Sequence, residues 1–346
     1  MAIKEYFPGA NTPDGFYSYY SEIFKNDEAE SVVILKGGPG TGKSSLMKKT
    51  ATFAADKGYD VELLHCSSDP ASLDGVCVRE KGFLILDGTS PHVIDPKFPG
   101  AVEEIVNLGC FWRADEIRLY KSEIQKLTAE ISNSFKRAYS FMNAAHSVMN
   151  QIRKDVRPDK NFVYSEIDAT VKELDVKKTI HKGKIRKGFL SADTHLGKIS
   201  YVSSFARDTE RIIRIVPDIG GTWAEYMKEI SEYLKRSGDD VRIFYSNMNP
   251  GSEIEHIYSE DGSLFITTEK TVENAGMIID FEKNSTSVYY PEYEDDKKVY
   301  NILMQKTTSA LKTAKALHDE LEKFYIPHMN FDMMDSALEL ILKKLD

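Results

Sequence analysis

Gly37-Gly38-Pro39-Gly40-Thr41-Gly42-Lys43-Ser44 follows the apolar run Val32-Val33-Ile34-Leu35 and precedes Ser45-Leu46-Met47-Lys48-Lys49. The eight residues fit G-x-x-x-x-G-K-[ST], the Walker A phosphate loop, and both flanks agree with it: a buried strand before and a helical pattern after. Glycines let the backbone bend so that its N–H groups face phosphates, and the helix N-terminus adds a favourable field. The stretch predicts a nucleotide held by Gly37, Gly38, Pro39, Gly40, Thr41, Gly42, Lys43, Ser44 and Ser45. Lys43 should reach the β- and γ-phosphates, and the Ser44 hydroxyl should sit on Mg²⁺.

Bulk properties narrow the class. The 346 residues suffice for two domains, and 41% apolar with 29% charged residues is a globular composition. A net charge of −9 argues against nucleic acid as the main partner. The N-terminus Met1-Ala2-Ile3-Lys4-Glu5-Tyr6 has no apolar leader, and no apolar run approaches the ~20 residues of a membrane helix. Cys66, Cys77 and Cys110 cannot all pair and show no C-x-x-C spacing, which predicts a reduced, cytoplasmic setting.

Outward from the loop, residues 3–20 read as a strand, a turn and a helix, with Thr12 as N-cap and Pro13 at the first helical position. The helix after the loop should end near Lys57 with Gly58 left-handed. Further strands are read at 61–66 and 83–87, with two more candidates at 92–95 and 104–108. From Arg113 to Ile152 apolar residues recur at steps of three and four, one long helix with a coiled-coil-like seam. Pro158 breaks it, and 161–175 reads as a shorter arm folding back on the first.

The second half repeats the first. Shifting residues 30–70 by 180 places Glu30 on Glu210, Gly40 on Gly220, Met47-Lys48 on Met227-Lys228, Gly58 on Gly238 and Asp60-Val61 on Asp240-Val241, without a gap. Asn11-Thr12 with Gly15 is echoed by Asp193-Thr194 with Gly197, and Pro158, Asn161 and Phe162 by Pro327, Asn330 and Phe331. Opposite the loop stands Pro217-Asp218-Ile219-Gly220-Gly221-Thr222-Trp223-Ala224, in which Trp223 replaces Lys43 and Ala224 replaces Ser44; opposite Asp87 is Thr267. The reading is therefore α/β, two tandem P-loop-type three-layer α/β/α domains, each followed by a helical hairpin. Residues 1–182 form the active unit (α/β 1–112, hairpin 113–180). Residues 183–346 form a degenerate one (α/β 183–294, hairpin 295–346).

Motif and order resemble the P-loop NTPase superfamily. The finer pattern is similar to a family of bacterial duplicated P-loop proteins labelled ATPase or nucleotide kinase-like, on residues 37–44, His65-Cys66-Ser67-Ser68-Asp69 and Leu86-Asp87-Gly88-Thr89-Ser90-Pro91-His92. The resemblance implies the three-layer fold and a Mg²⁺–ATP cofactor, and it supplies no substrate.

Asp87 ends an apolar strand as a Walker B aspartate does, and with Ser44 it would hold Mg²⁺. Gly88 follows where many ATPases resemble one another in carrying a glutamate, which shifts weight towards phosphoryl transfer to an acceptor or slow, partner-triggered hydrolysis. No N-K-x-D signature occurs, so ATP is read ahead of GTP. His65, Asp69, Asp74, His92 and Asp95 fall at strand ends, where open α/β sheets bind ligands. Asp69 and His92 join Lys43 and Asp87 as catalytic candidates, one to accept a proton and one to orient phosphate. The plain alternatives are turn chemistry at Asp69-Pro70 and Asp95-Pro96 and a hydrogen-bonded core His65. A Zn²⁺ site from His65, Cys66 and His92 fits no standard spacing. Arg113 and Arg118 could close on the γ-phosphate; exposed helix arginines usually do nothing so specific. Trp223 and Tyr226 read as core.

Three functions follow as expectations. The first is an ATPase or small-molecule or nucleotide phosphotransferase. The second is a nucleotide-gated switch that turns over negligibly and presents its hairpins to a protein partner. The third has another copy of the chain supply the missing second loop.

Overall fold

The computed structural model describes residues 2–24, 28–90, 93–154, 156–157, 159–174, 181–284, 286–287 and 292–345. Its first half runs β1 (Ile3–Tyr6), β2 (Gly9–Thr12), β3 (Gly15–Ser18), β4 (Ser31–Lys36), α1 (Lys43–Asp56), β5 (Val61–His65), β6 (Leu73–Val78), β7 (Phe83–Asp87) and β8 (Glu103–Asn107). Six strands form one sheet in the order β1-β5-β6-β7-β4-β8. All neighbours are parallel except β6, which is antiparallel to both β5 and β7. The run 32–35 is buried on both faces: Val33 and Leu35 pack with Leu46 and Met47 of α1, Val32 and Ile34 on the other side. That two-sided burial is why a continuous apolar run makes a central strand.

Then come α2 (Ala114–Ile117), α3 (Lys121–Lys154), β9 (Val156–Arg157) and α4 (Lys160–Leu174). The second half follows as β10 (Ile185–Gly188), β11 (Ser191–Thr194), β12 (Gly197–Ser200), α5 (Val202–Ala206), β13 (Arg211–Val216), α6 (Trp223–Ser237), β14 (Val241–Tyr245), β15 (Ile254–Ser259), β16 (Leu264–Thr267), β17 (Met277–Asp280) and β18 (Thr286–Ser287). The chain closes with α7 (Tyr293–Glu322) and α8 (Met334–Leu342). The second sheet has the order β10-β14-β15-β16-β13-β17, position for position that of the first. The duplication read from the sequence is thus a duplication of topology.

Four readings change. Residues 12–20 are not a helix: Pro13-Asp14 is the two-residue turn of the β2–β3 hairpin. Thr12 Oγ1 donates to Gly15 O at 2.7 Å, and Gly15 takes a φ of 114° that suits glycine alone. The repeat rebuilds it, with Thr194 Oγ1 donating to Gly197 O at 2.8 Å. Strand β6 goes unpredicted because Asp74-Gly75 interrupts its apolar pattern. Residues 93–95 form no strand, whereas the one expected at 104–108 is β8. Finally, Gly75 pairs with Leu86 and His256 with Thr267, so an extra residue between β14 and β15 aligns Asp87 with Thr268 rather than Thr267.

The long helices do not pack within their own hairpins. α3 lies against α7, antiparallel: Tyr120 meets Phe324 at 5.2 Å, and Ala138 packs with Ala310 and Leu311. A 34-residue arm cannot bury its seam on the 15-residue α4, whereas the 30-residue α7 matches it. The short arms are exchanged between halves. On α6, Thr170 of α4 meets Tyr226 at 2.9 Å, and Phe162 packs on Phe281. On α1, Met334, Ile341 and Leu345 of the C-terminal segment join the core beneath the helix.

The sequence predicts two separate three-layer sandwiches. Instead, the sheet faces turned away from α1 and α6 share a core, with Tyr6, Leu64 and Leu86 clustering with Phe205, Phe244 and Phe265. Tyr6 touches Phe244 edge-on at 6.1 Å. Each half is a mixed sheet with helices on one face, α1 and the C-terminal segment in the first and α6 with α4 in the second, and the other half against the other face. Among the described residues no helix is long and apolar enough to cross a membrane.

Candidate functional site

The turn from β4 into α1 places residues 37–44 at the carboxyl end of the sheet. Gly40 and Gly42 take φ of 68° and 80°, and Gly42 is the residue from which α1 starts. The buried Thr41 donates through Oγ1 to Gly38 O at 2.9 Å, which closes the turn. Lys43 Nζ donates to Gly37 O at 2.8 Å and Gly38 O at 2.9 Å and stands 3.6 Å from Asp87 Oδ2. Asp87 Oδ1 accepts the Thr89 N–H at 2.8 Å, while Thr89 Oγ1 donates to Gly37 O at 2.8 Å. Ser44 Oγ accepts the Leu73 N–H at 3.0 Å. Sequence-predicted Lys43 and Asp87 are therefore brought together, with Ser44 next to Lys43 and bonded to the start of β6. Among the described residues the N–H groups of Gly40, Thr41, Gly42 and Lys43 have no protein acceptor. Unpartnered donors in one turn beside an ammonium are chemistry that suits an anion, and Ser44 and Asp87 carry hard oxygens of the kind a divalent cation takes.

The second half shows what such a nest favours. Asp218, 3% exposed, puts Oδ1 at 2.9 Å from the Thr222 N–H, 2.7 Å from Thr222 Oγ1 and 3.3 Å from the Trp223 N–H. Thr222 and Trp223 stand one repeat after Gly42 and Lys43. The loop's own carboxylate occupies it.

Residues 37–44 are flanked by Trp112 of the first half and by the C-terminal segment of the second. A Cβ on Gly40 would lie 2.6 Å from Ile326, one on Gly42 2.8 Å from Met334, and one on Gly38 3.2 Å from Trp112. This strap is held because Arg113 N donates to His328 O at 2.9 Å and Asn330 N to Phe111 O at 3.0 Å. Behind it, Gly42, Lys49, Phe331 and Met334 border a cavity of about 120 Å³. A larger one of about 360 Å³, lined by Tyr20, Phe24, Ile34, Leu86 and Phe98, lies on the opposite sheet face, away from the loop.

The remaining candidates divide. Asp69 accepts from Ser72 Oγ at 3.0 Å and faces Lys315 of α7 at 3.5 Å, so it is both turn residue and a contact to the other half. His92 lies outside the described residues, and so does the Zn²⁺ reading that needs it. His65 is a satisfied junction histidine: Nδ1 meets Pro70 O at 2.9 Å, Nε2 meets Glu5 at 3.1 Å, and the ring stacks on Tyr201. Its hydrogen bond holds the Glu5 carboxyl below its usual range. Asp74 accepts from Tyr20 OH at 3.0 Å on the sheet face away from α1, and burial raises the Tyr20 phenol strongly. Asp95 is exposed and pairs with Lys36 at 3.6 Å. Arg113 donates to Pro327 O and Arg118 pairs with Asp115, so neither points at the loop's lysine. Trp223 and Tyr226 are core, as read. Cys66, Cys77 and Cys110 are free, and burial pushes the Cys77 thiol up to about 12.

Two lysines carry roles the sequence does not announce. Lys36 donates to Gly88 O at 2.8 Å and Ile94 O at 2.9 Å, fixing the segment after Asp87. Lys315 reaches across from the second half. A lysine in a charged helix has no local signal for that.

Comparison of the chain with protein-family models, with curated proteins and with solved structures finds no match.

Proposed function

We propose that the chain binds Mg²⁺–ATP at residues 37–45 and turns it over, as an ATPase or a phosphotransferase, with one working loop and one closed one. The contrast between the two loops carries the reading. At equivalent places one half leaves Gly40, Thr41, Gly42 and Lys43 N–H groups open beside a lysine, and the other fills that place with the Asp218 carboxylate. The parallel neighbour strand ending in Asp87, 3.6 Å from Lys43, supports a P-loop-type unit.

On this reading the open N–H groups cradle phosphate oxygens, and Lys43 leaves the Gly37 and Gly38 carbonyls for the β- and γ-phosphates. Ser44 and Asp87 would hold Mg²⁺ as hard oxygen donors; the ion, when bound, would neutralise charge on the phosphates. Thr89 holds Asp87 through its N–H. Gly88 brings no carboxylate to activate water, which favours transfer to an acceptor. Asp69 is the described carboxylate proposed to take that acceptor's proton, and ATP is preferred to GTP. The reading puts the chain in the cytoplasm, without membrane or nucleic-acid partners.

The test is ATP turnover with Mg²⁺, alone and with pools of nucleosides, nucleotides and small metabolites. A folded Lys43→Ala protein should lose all turnover. Turnover unchanged in that variant would defeat the proposal.

A second reading rests on the strap. Ile326 and Met334 touch the loop and continue α7, which spans the molecule alongside α3. A nucleotide-gated switch would then show altered hydrogen exchange in α3 and α7 on ATP binding with turnover near background. Identical exchange with and without ATP would remove it.

A further inference from the structure

Two contacts place the end of α7 and the segment after it against the first half. Lys315 stands 3.5 Å from Asp69, and Ile326 rests on Gly40. From Lys315 to the end of α7 at Glu322 the helix runs about 10 Å, and at about 100° per residue Asp319 and Glu322 lie within roughly 40° of the Lys315 direction, His318 within roughly 60°. The stretch bracketed by the two contacts thus presents an imidazole and two carboxylates on the side that meets the first half.

These three side chains converge. One ligand atom from each of His318, Asp319 and Glu322 lies within 4.8 Å of the other two, the one such grouping of three among the described residues. His318 Nδ1 is 3.7 Å from Glu322 Oε1. An ion with bonds of about 2.0–2.2 Å needs its ligand atoms within about 4.4 Å, so small rotations complete the set. Lys315 bonds Asp319 Oδ1 at 2.5 Å, which steers that carboxylate and leaves its second oxygen for a ligand. The three side chains are partly open to solvent, between 32% and 49% exposed, so positions on an ion stay available to water or an oxyanion.

We propose that His318, Asp319 and Glu322 form a divalent-cation site on α7, on the side that carries the Lys315–Asp69 contact and distinct from the Ser44–Asp87 position. The imidazole selects Mn²⁺ or Zn²⁺ over Mg²⁺. A phosphate of the proposed nucleotide could supply the oxyanion that fills the ion's free positions. That last link rests on the proposed function; ion binding itself does not, and it proceeds without nucleotide.

The test is Mn²⁺ titration of the full chain without nucleotide, followed by the loss of the free Mn²⁺ electron paramagnetic resonance signal, with circular dichroism as the fold check. The wild type should take up one Mn²⁺, displaced by Zn²⁺. His318→Ala and Asp319→Asn should each weaken it at least about tenfold, as loss of a ligand does, while Ser44→Ala leaves it in place. No uptake by the wild type, or equal uptake by His318→Ala, overturns the site. So does uptake lost in Ser44→Ala and kept in His318→Ala. ATP binding, measured separately with Lys43→Ala, shows whether the nucleotide reading stands or falls on its own.

Discussion

Arg242 donates to Glu62 at 2.8 Å across the junction of the two halves, and the two residues hold the same position of the repeat. Each also has a partner at home: Arg79 bonds Glu62 at 2.6 Å, and Arg242 bonds Glu260 at 3.0 Å. The first half thus places acid on β5 and base just past the end of β6, and the second half reverses them on β14 and just past β15. An exact copy would have set like charges against each other in a buried place. Burial alone would raise the Glu62 carboxyl; Arg242 and Arg79 outweigh it and hold the group well below the usual carboxylate range.

Arg242 is 1% exposed, so Arg242→Met leaves two buried carboxylates under-compensated. The loss should be about 3–5 kcal/mol in urea unfolding, the range for one partner removed from a buried pair. Arg242→Met with Glu62→Leu should regain part of it, because Arg79 and Glu260 then balance. A double variant as unstable as the sum of both singles would refute the junction network.

His256 sets a pH limit. Burial, then the nearby Lys198, lowers its pKa to about 3 against 6.5 for a free imidazole. The unfolded chain takes up the proton first, so stability is full above about pH 6.5 and drains as pH falls towards 3, by up to about 1.4 kcal/mol per unit. Glu62 adds a second loss below the ordinary carboxylate range, where its folded-state advantage disappears. Melting temperature should fall between pH 7 and 5 in the wild type, and much less in His256→Asn; equal slopes would exclude His256 as the source.

Gly38 and Asp218 are one repeat apart. Gly38→Asp should place a carboxylate where Asp218 sits in the second loop and abolish ATP binding by calorimetry. Trp112, 3.2 Å from the new Cβ, must give slightly, so a melting point within a few degrees of wild type is expected. Retained binding would mean the two nests differ.

Gly40→Ala tests the strap. A side chain at φ 68° is strained by about 1–2 kcal/mol, and the new methyl would stand 2.6 Å from Ile326. Ile326→Ala should recover the steric part alone, giving a coupling of about 1 kcal/mol in a double-mutant cycle. Strict additivity would place Ile326 off the loop.

Much of the site was legible because its chemistry is local. Residues 37–44 carry their own geometry in four glycines, a lysine and a serine, and Asp87 is marked by the apolar strand it ends. The hairpin at 12–15 was misread because Thr12-Pro13-Asp14 is equally a helix start and a turn, and only Gly15 decides. Strand β6 was hidden by Asp74 and Gly75, which its neighbours tolerate by a register shift near His65.

The sequence by itself determined two repeated α/β units, the strand–loop–helix at residues 32–57, the failure of the second loop to keep lysine and serine, and a long helix within 113–152 followed by a shorter one near 161–175, which the structure gives as 121–154 and 160–174. Periodicity, capping and turn chemistry act over a few residues, and a chain displays them openly. Tertiary structure alone decided which helix buries which seam. It paired α3 with α7, sent α4 to α6 and the C-terminal segment to α1, set Arg242 against Glu62, and brought Ile326 to Gly40 and Lys315 to Asp69. Apolar faces carry no address. Their partners are chosen by matching length, shape and charge once the whole chain is folded.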